Sequence, residues 1–384
     1  MRPRIAGLAV LAGLPAVLVL AGCSIGDIRR TPPERAVQPT DAAVPTSGPG
    51  AVDRRPMRVP VPAYYDTPYI EFDNANHGYA LFAGCLSSPP AAGDSVVCPP
   101  LLFATFDGGE SWQQREHPAP YVAEHSMLVG YGSVVLSAGD DWYRSLDGAS
   151  TFTRSAGSDG SMPPEFAMVD GPYQVCCQTD PVPKVVEATE QGMVPLAEQP
   201  QIPVVQTIGH LGGKLTVAGL HEGRLHVAFG ALVATPDDRG VFETGWQWQT
   251  DAIAIAEPDQ IRRVVVQVAP SGERWLIAER ERGEFPLVWR INGTQLEHLP
   301  VGDPPTGVVS VLPDDGRLLV TTRTGAWAVG ADGRLEPIYW PVRGGAYLTR
   351  LRDGTVLASR DGGVLLGPAQ PSGAGWVQIS WAPS

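Results

Sequence analysis

The chain has 384 residues, of which 43% are hydrophobic and 18% charged, so it can bury a large core. Its formal net charge is −13, and no Lys/Arg-rich run occurs outside the extreme N-terminus. Because binding to nucleic acid needs a basic surface, these numbers exclude nucleic acid as a partner.

The N-terminus has the pattern of an export signal. An apolar run over residues 5–20 follows two arginines and ends in "LAGC", residues 20–23. The stretch resembles the bacterial lipobox, in which small residues precede a cysteine that becomes the lipidated first residue of the mature chain. A membrane anchor or an ordinary signal peptide is the alternative, but Pro15 and the small-residue stop fit an anchor poorly. The resemblance implies a signal peptide over residues 1–22, palmitate at Cys23, and attachment to the outer face of a bacterial cytoplasmic membrane.

The next segment has the composition of a tether. Residues 23–60 are rich in Pro, Ala, Thr and Gly and have almost no aromatic or large aliphatic side chains. Such a segment cannot bury enough apolar surface to offset its ordering entropy. The sequence therefore predicts a flexible lipidated tether, and we expect Arg29 and Arg30, close behind the lipid, to touch anionic head groups.

Residues 61–384 consist of short alternating apolar runs separated by Gly, Pro and Asp clusters, which indicates β-strands joined by turns. One unit recurs, made of a strand, a turn that contains Gly, and a second strand. The turn glycines are Gly78, Gly132, Gly171, Gly223, Gly272, Gly316 and Gly354.

The glycines are spaced by about 38 to 54 residues, which is the length of a four-stranded propeller blade. The sequence therefore predicts one all-β domain, a seven-bladed β-propeller of four-stranded antiparallel blades. The blades are predicted to begin near residues 67, 121, 165, 213, 261, 306 and 345.

Two predicted turns between third and fourth strands share a motif. "TFDGGESW" in blade one and "SLDGASTF" in blade two resemble the Asp box, the repeat of bacterial neuraminidases, and blade one also resembles blades of photosystem II assembly factors. In the neuraminidase family the box is a hairpin turn remote from the active site. An Asp can accept loop N–H groups, a hydroxyl can cap the turn, and an aromatic can pack between blades. The resemblance implies structural roles for Asp107, Ser111, Trp112, Asp147, Thr151 and Phe152.

Four cysteines remain after lipidation of Cys23, and an even number in an exported protein suggests disulfides, with three possible pairings. Cys85 and Cys98 flank an insertion in blade one, and a bridge between them would stiffen that loop. Cys176 and Cys177 are neighbours that either form a vicinal disulfide or stay reduced. Crossed pairing would instead join blades one and three.

Enzymes are the competing functional class. Sialidases share the propeller architecture and use an arginine triad, a Tyr–Glu nucleophile pair and an Asp, together with a Phe/Tyr-Arg-Ile-Pro motif that this chain lacks. The acidic pairs at turns lack the spacing of a calcium loop, so no metal and no cofactor are predicted. The main hypothesis is therefore a membrane-anchored, extracytoplasmic binding or assembly-factor propeller without catalytic residues. The alternatives are a glycan-acting hydrolase of the sialidase type and a purely structural envelope protein.

A recognition surface is expected on one face of the disc. In propellers the loops between second and third strands and the blade-to-blade crossings open on one face, and the Asp-box turns on the other. The first face is predicted to carry the Cys85–Cys98 loop and charged and aromatic side chains. The candidate binding residues are Asp141, Trp142, Arg323 and Arg360, facing an unidentified protein or glycan partner.

Overall fold

The computed structural model describes residues 52–85, 98–119, 125–156, 162–176, 183–236, 242–255, 257–338, 340–342, 345–360, 363–368 and 375–381. The chain divides into two units, Met1–Thr46 and Ser47–Ser384. The predicted signal peptide, Cys23 and most of the predicted tether lie outside the described residues, as does Cys177. Within the described ranges, no helix has the length and apolarity needed to cross a membrane.

Seven sheets, antiparallel except for the pairing of the added strand Val52–Met57, form a seven-bladed β-propeller, which confirms the predicted fold class. The described strands are β1 Val52–Met57, β2 Tyr69–Phe72, β3 Gly78–Phe82, β4 Leu101–Thr105, β5 Gln113–Arg115, β6 His125–Gly130, β7 Ser133–Ala138, β8 Asp141–Ser145, β9 Thr153–Ala156, β10 Tyr173–Cys176, β11 Lys184–Thr189, β12 Gly192–Pro195, β13 Thr207–Leu211, β14 Lys214–His221, β15 Arg224–Pro236, β16 Phe242–Ala254, β17 Ile261–Val268, β18 Arg274–Arg280, β19 Leu287–Asn292, β20 Gln295–His298, β21 Val308–Asp314, β22 Arg317–Thr322, β23 Ala326–Gly330, β24 Leu335–Ile338, β25 Tyr347–Arg350, β26 Val356–Arg360, β27 Gly363–Gly367 and β28 Trp376–Trp381. Three short 3-10 helices are η1 Pro164–Asp170, η2 Pro258–Gln260 and η3 Glu281–Gly283.

Blades one, two, four, five and six each contain four strands in chain order, β2–β5, β6–β9, β13–β16, β17–β20 and β21–β24. The first strands of neighbouring blades contact one another, so they line the central channel. Outside blade three, the second strands bury successive residues and therefore both faces; β3 is buried along its whole length. This burial explains their unbroken apolar runs, because the side chains on both faces pack against a neighbouring blade.

Turn glycines hold the connections between first and second strands. Gly132 (φ 74°) and Gly316 (φ 72°) adopt the left-handed conformation, which L side chains disfavour. Six of the seven marker glycines have positive φ, whereas Gly78 of blade one is the first residue of β3 and does not.

Blade three departs from the predicted pattern of four strands. Its described strands are β10–β12, and the segment before them forms η1, which packs against β11 and β12 of its own blade and against β6 and β7 of blade two. Pro164 at the start of η1 explains the change, since proline lacks the N–H that a sheet ladder requires. The inner strand of blade four begins at Thr207 rather than near residue 213.

The ring closes between blades seven and one. Blade seven contains β25–β28 and a fifth strand, β1, which pairs in parallel with β28 from Val52↔Trp376 to Met57↔Trp381. Residues 52–57 had been predicted to belong to the tether, but this pairing makes them part of the propeller. The N–H of Ala75 in blade one also donates to Asp353 Oδ2 in blade seven at 2.7 Å.

Candidate functional site

The two faces of the propeller, the turn face and the crossing face, differ in the strand connections that they carry. The turn face carries the turns between first and second strands and between third and fourth strands. The crossing face carries the loops between second and third strands and the blade-to-blade crossings. In blade one the two kinds of turn on the turn face touch, because the Gly108 N–H donates to the Asn76 carbonyl at 2.9 Å.

On the turn face, the first motif closes on itself. Ser111 donates to Asp107 through its N–H at 2.9 Å and its hydroxyl at 2.6 Å. The Thr105 hydroxyl donates to Asp107 Oδ1 at 2.8 Å and accepts the Gly109 N–H at 2.9 Å. Burial alone would raise the pKa of Asp107, but hydrogen bonds led by those from Ser111 lower it. The carboxylate is therefore ionised and fully engaged by its own turn.

The second motif repeats this geometry in blade two. Thr151 donates to Asp147 through its N–H at 2.9 Å and its hydroxyl at 2.7 Å, and the Ser145 hydroxyl donates to it at 2.8 Å. The two bonds from Thr151 lead the interactions that lower the pKa of Asp147 to about 2. A carboxylate with so low a pKa is a poor proton acceptor near neutral pH.

The aromatic residues of both motifs pack between blades. Trp112 meets Phe72 edge-on with ring centroids 6.4 Å apart, and its cluster includes Ile379 of blade seven. Phe152 packs against a cluster shared by blades one and two. Both rings therefore hold neighbouring blades together.

An open cleft of about 670 Å³ lies on the turn face where blades six, seven and one meet. Its wall includes Arg350, which donates to Asp314 Oδ1 at 3.0 Å and to the Pro313 carbonyl at 2.8 Å. Arg317 donates to the other oxygen of Asp314 at 2.8 Å. Asp314 thus forms ion pairs with both of these arginines.

On the crossing face, Cys85 and Cys98 form the predicted disulfide, with Cα atoms 6.1 Å apart. The Tyr65 hydroxyl donates to the Pro99 carbonyl at 2.8 Å, which fixes the end of the insertion to the blade. Cys176 is also disulfide-bonded. Because Cys177 lies outside the described residues, a vicinal pair stays a prediction.

Asp141 and Trp142, two of the predicted binding residues, are engaged within the fold. Asp141 accepts two hydrogen bonds from Arg154 Nη2, at 2.8 and 2.9 Å. Trp142 is partly buried against Phe166 and Val169 beside η1. Neither side chain is therefore a free anchor for a partner.

Arg323 and Arg360 have a different environment. Both are exposed at loops between second and third strands, and neither has an ion pair within the described part of the chain. The Arg323 N–H donates to the Gly307 carbonyl at 3.0 Å, so its backbone is fixed while its guanidinium remains in solvent. The structure does not place Asp141 or Trp142 in contact with these arginines.

Sequence reasoning missed a set of residues at the mouth of the central channel on the crossing face. Inner strands begin there, and Tyr69 and Tyr347, at the starts of β2 and β25, are 62% and 64% exposed. Arg263 donates two hydrogen bonds to Glu279 at 2.7 Å, and Arg262 donates a third at 2.5 Å. The Arg-Arg pair at the start of a strand was the available sequence signal.

Arg263 and Glu279 shift each other's pKa. The hydrogen bond to Glu279 is the main cause that raises the pKa of Arg263, and Tyr347 adds to it. Burial would raise the pKa of Glu279, but hydrogen bonds from Arg263 and Arg262 lower it.

Other titratable groups have local roles. Burial lowers the pKa of His117 to about 4, and its Nδ1 accepts the Ala119 N–H at 3.1 Å. Its ring meets His125 edge-on with centroids 4.8 Å apart. Across the described ranges, no three His, Cys, Asp or Glu residues are grouped so that they could hold a metal ion.

Comparison with known proteins gave structural similarity only. No family model matches the chain, and no curated protein matches it. Apo AztD from Citrobacter koseri is 10% identical, with 83% of this chain and 87% of that chain covered and a TM-score of 0.38. Sqt1 from Saccharomyces cerevisiae is 12% identical, with coverages of 83% and 97% and a TM-score of 0.38. A prolyl endopeptidase is 10% identical, with coverages of 82% and 50% and a TM-score of 0.48.

Proposed function

We propose that this chain is a lipid-anchored, extracytoplasmic binding or assembly-factor propeller that carries out no chemistry of its own. The lipobox-like "LAGC" before and including Cys23 supports anchoring to the outer face of a bacterial cytoplasmic membrane. The Asp-box-like turns support the structural use of Asp107 and Asp147.

The contrast between the two faces carries the proposal. On the turn face, the carboxylates and hydroxyls of both motifs are consumed by their own loops. On the crossing face, Arg323 and Arg360 are exposed and lack ion pairs among the described residues. A rigid disc that presents uncompensated guanidinium groups on loops suits recognition of a partner, since arginine is frequent among residues that dominate interface energies.

The test is capture of a partner from membranes by the full lipidated chain. We expect the combined change Arg323→Glu and Arg360→Glu to abolish capture while the thermal midpoint stays nearly unchanged. Arg334→Glu is the matched control, because Arg334 is an exposed arginine on the turn face of blade six. Undiminished capture by the double variant, or loss of capture in the control, would show that the partner does not bind the crossing face as proposed.

Two further measurements separate this proposal from its alternatives. Cys23→Ala should prevent lipid attachment, and mass spectrometry of an unmodified Cys23 in the wild-type chain would contradict the anchor. Hydrolysis of a sialoside by the purified protein would favour the sialidase-type alternative.

A further inference from the structure

We propose that the mouth of the central channel on the crossing face binds the carboxylates of an Asp/Glu-rich segment of a partner protein. This inference rests on the proposed function, because it names the chemistry of the partner that the propeller would bind. The site comprises Arg262, Arg263, Arg323, Arg360, Tyr69 and Tyr347.

Backbone irregularities shape this mouth. Successive side chains of a regular strand point to opposite faces, so neighbouring arginines would normally diverge. The pairing of β17 with β18 shifts register between Ile261 and Arg263, and this bulge lets Arg262 and Arg263 reach the same carboxylate of Glu279. The pairing of β21 with β22 shifts at the corresponding place, between Val308 and Ser310. Two adjacent blades thus interrupt their inner strands at the same level.

Glu279 orients the arginine pair but leaves much of it accessible. The side chains of Arg262 and Arg263 are 63% and 62% exposed, whereas Glu279 is 24% exposed. Each guanidinium has five N–H donors, so one shared carboxylate leaves donors of both groups for a ligand. A planar guanidinium held in place is suited to paired hydrogen bonds with a further carboxylate.

Arg323 and Arg360 extend this cationic surface onto blades six and seven. Arg323 lies against Gly307, one residue before β21 begins, and Arg360 ends the strand β26 that pairs with β25. Of these four arginines, only Arg262 and Arg263 bind Glu279, and the whole chain has a net charge of −13. Glu257 and Glu284 on the same face are paired with Arg280, whereas Arg323 and Arg360 are exposed and have no ion pair among the described residues. Guanidinium groups without a partner attract acidic ligands.

The two tyrosines favour a peptide as the ligand. Tyr69 and Tyr347 are the first residues of inner strands in adjacent blades. Among the tyrosines that the structure describes, these two are the most exposed. An exposed phenol ring offers apolar area together with a hydroxyl, and Tyr and Arg together are enriched where protein partners bind most strongly. The arginines would bind the acidic side chains, and the rings would contact the chain that carries them.

The experiment measures fluorescence anisotropy of labelled hexaglutamate with the full chain in detergent. We expect binding that weakens as salt is raised, and no binding of hexalysine. Arg262→Gln with Arg323→Gln should weaken hexaglutamate binding about tenfold, since each exposed ion pair contributes modestly. Tyr347→Ala should weaken it about threefold, on the scale of one partly exposed contact. Arg334→Gln on the turn face is the matched control and should bind as the wild type does.

Equal binding by the double variant, or equal binding of hexalysine, would overturn the inference. Tighter binding of hexagalacturonate than of hexaglutamate would also overturn it, because it would assign the mouth to an acidic glycan. The thermal midpoint of each variant shows whether a loss of binding results from unfolding. If membrane capture succeeds while hexaglutamate does not bind, the mouth inference fails and the proposed function stands. If membrane capture itself fails, the proposed function fails.

Discussion

Replacing Asp147 by Ala tests whether the motif residues of the turn face stabilise the fold. The carboxylate accepts four hydrogen bonds within its turn, two from Thr151 and one each from Ser145 and Ser150. Asp147→Ala removes all four acceptor contacts. Asp147→Asn is the matched control, because it keeps one oxygen acceptor and the shape of the side chain.

The magnitude follows from the exposure of this turn. A hydrogen bond to a charged group contributes about 1.5–3 kcal/mol when it is shielded, but water competes strongly at an exposed turn. We therefore expect Asp147→Ala to lower the free energy of unfolding by about 2 kcal/mol in total, with Asp147→Asn losing roughly half as much. In a domain of this size the thermal midpoint should fall by roughly 4 °C.

The pH dependence gives a second readout. The pKa of Asp147 is lowered from 3.8 to about 2 in the fold, so its contribution is fully present above the unfolded pKa and is lost as pH falls toward 2. Urea unfolding, followed by tryptophan fluorescence, should show a constant difference between wild type and Asp147→Ala from pH 5 to 7 that shrinks below pH 4. An unchanged midpoint in Asp147→Ala at neutral pH would refute the structural role.

Three further predictions concern single sites. Gly109→Ala should lower the free energy of unfolding by about 1–3 kcal/mol more than Gly316→Ala does. Both glycines have positive φ, but only at Gly109 would a Cβ meet Ile379, at 2.6 Å. Equal losses of stability in urea unfolding would contradict this packing. The pKa of His117 is lowered to about 4, so the unfolded chain binds more protons than the folded chain between pH 6.5 and 4. The free energy of unfolding should therefore fall by about 3 kcal/mol as the pH is lowered through that window. His117→Gln should flatten this dependence of stability on pH, and an unaltered dependence would refute the burial of a neutral ring. Cys85→Ser should lower the free energy of unfolding by about 3 kcal/mol under oxidising conditions and change little in reductant, and an equal loss in both would show that the bridge does not act through loop closure.

The blade count could be predicted because six of the seven blades have a marker glycine with positive φ. Positive φ at turns such as Gly132 and Gly316 restricts the residue choice strongly, so the requirement is visible as a repeat. The Cys85–Cys98 bridge was predictable for a similar reason, because both cysteines flank one insertion. A constraint that acts among neighbouring residues leaves a recognisable pattern in that part of the sequence.

Features that depend on distant partners could not be predicted in the same way. Val52–Met57 has little hydrophobic pattern of its own and becomes a strand only because β28, at the other end of the chain, offers an edge. In blade three, η1 precedes the described strands, and its Pro164 disfavours a sheet ladder without specifying what forms instead. Arg262 and Arg263 both bind Glu279 because of a β-bulge, and the alternation of apolar and polar residues in the sequence does not reveal that bulge.

The most direct test of a partner on the crossing face is photo-crosslinking in living cells that produce the lipidated chain. A photoreactive residue at Arg360 would probe the crossing face, and one at Leu146, which is 64% exposed, would probe the turn face. We expect a discrete crosslinked protein from position 360 and none from position 146. A discrete product from position 146 alone would contradict the assignment of partner binding to the crossing face.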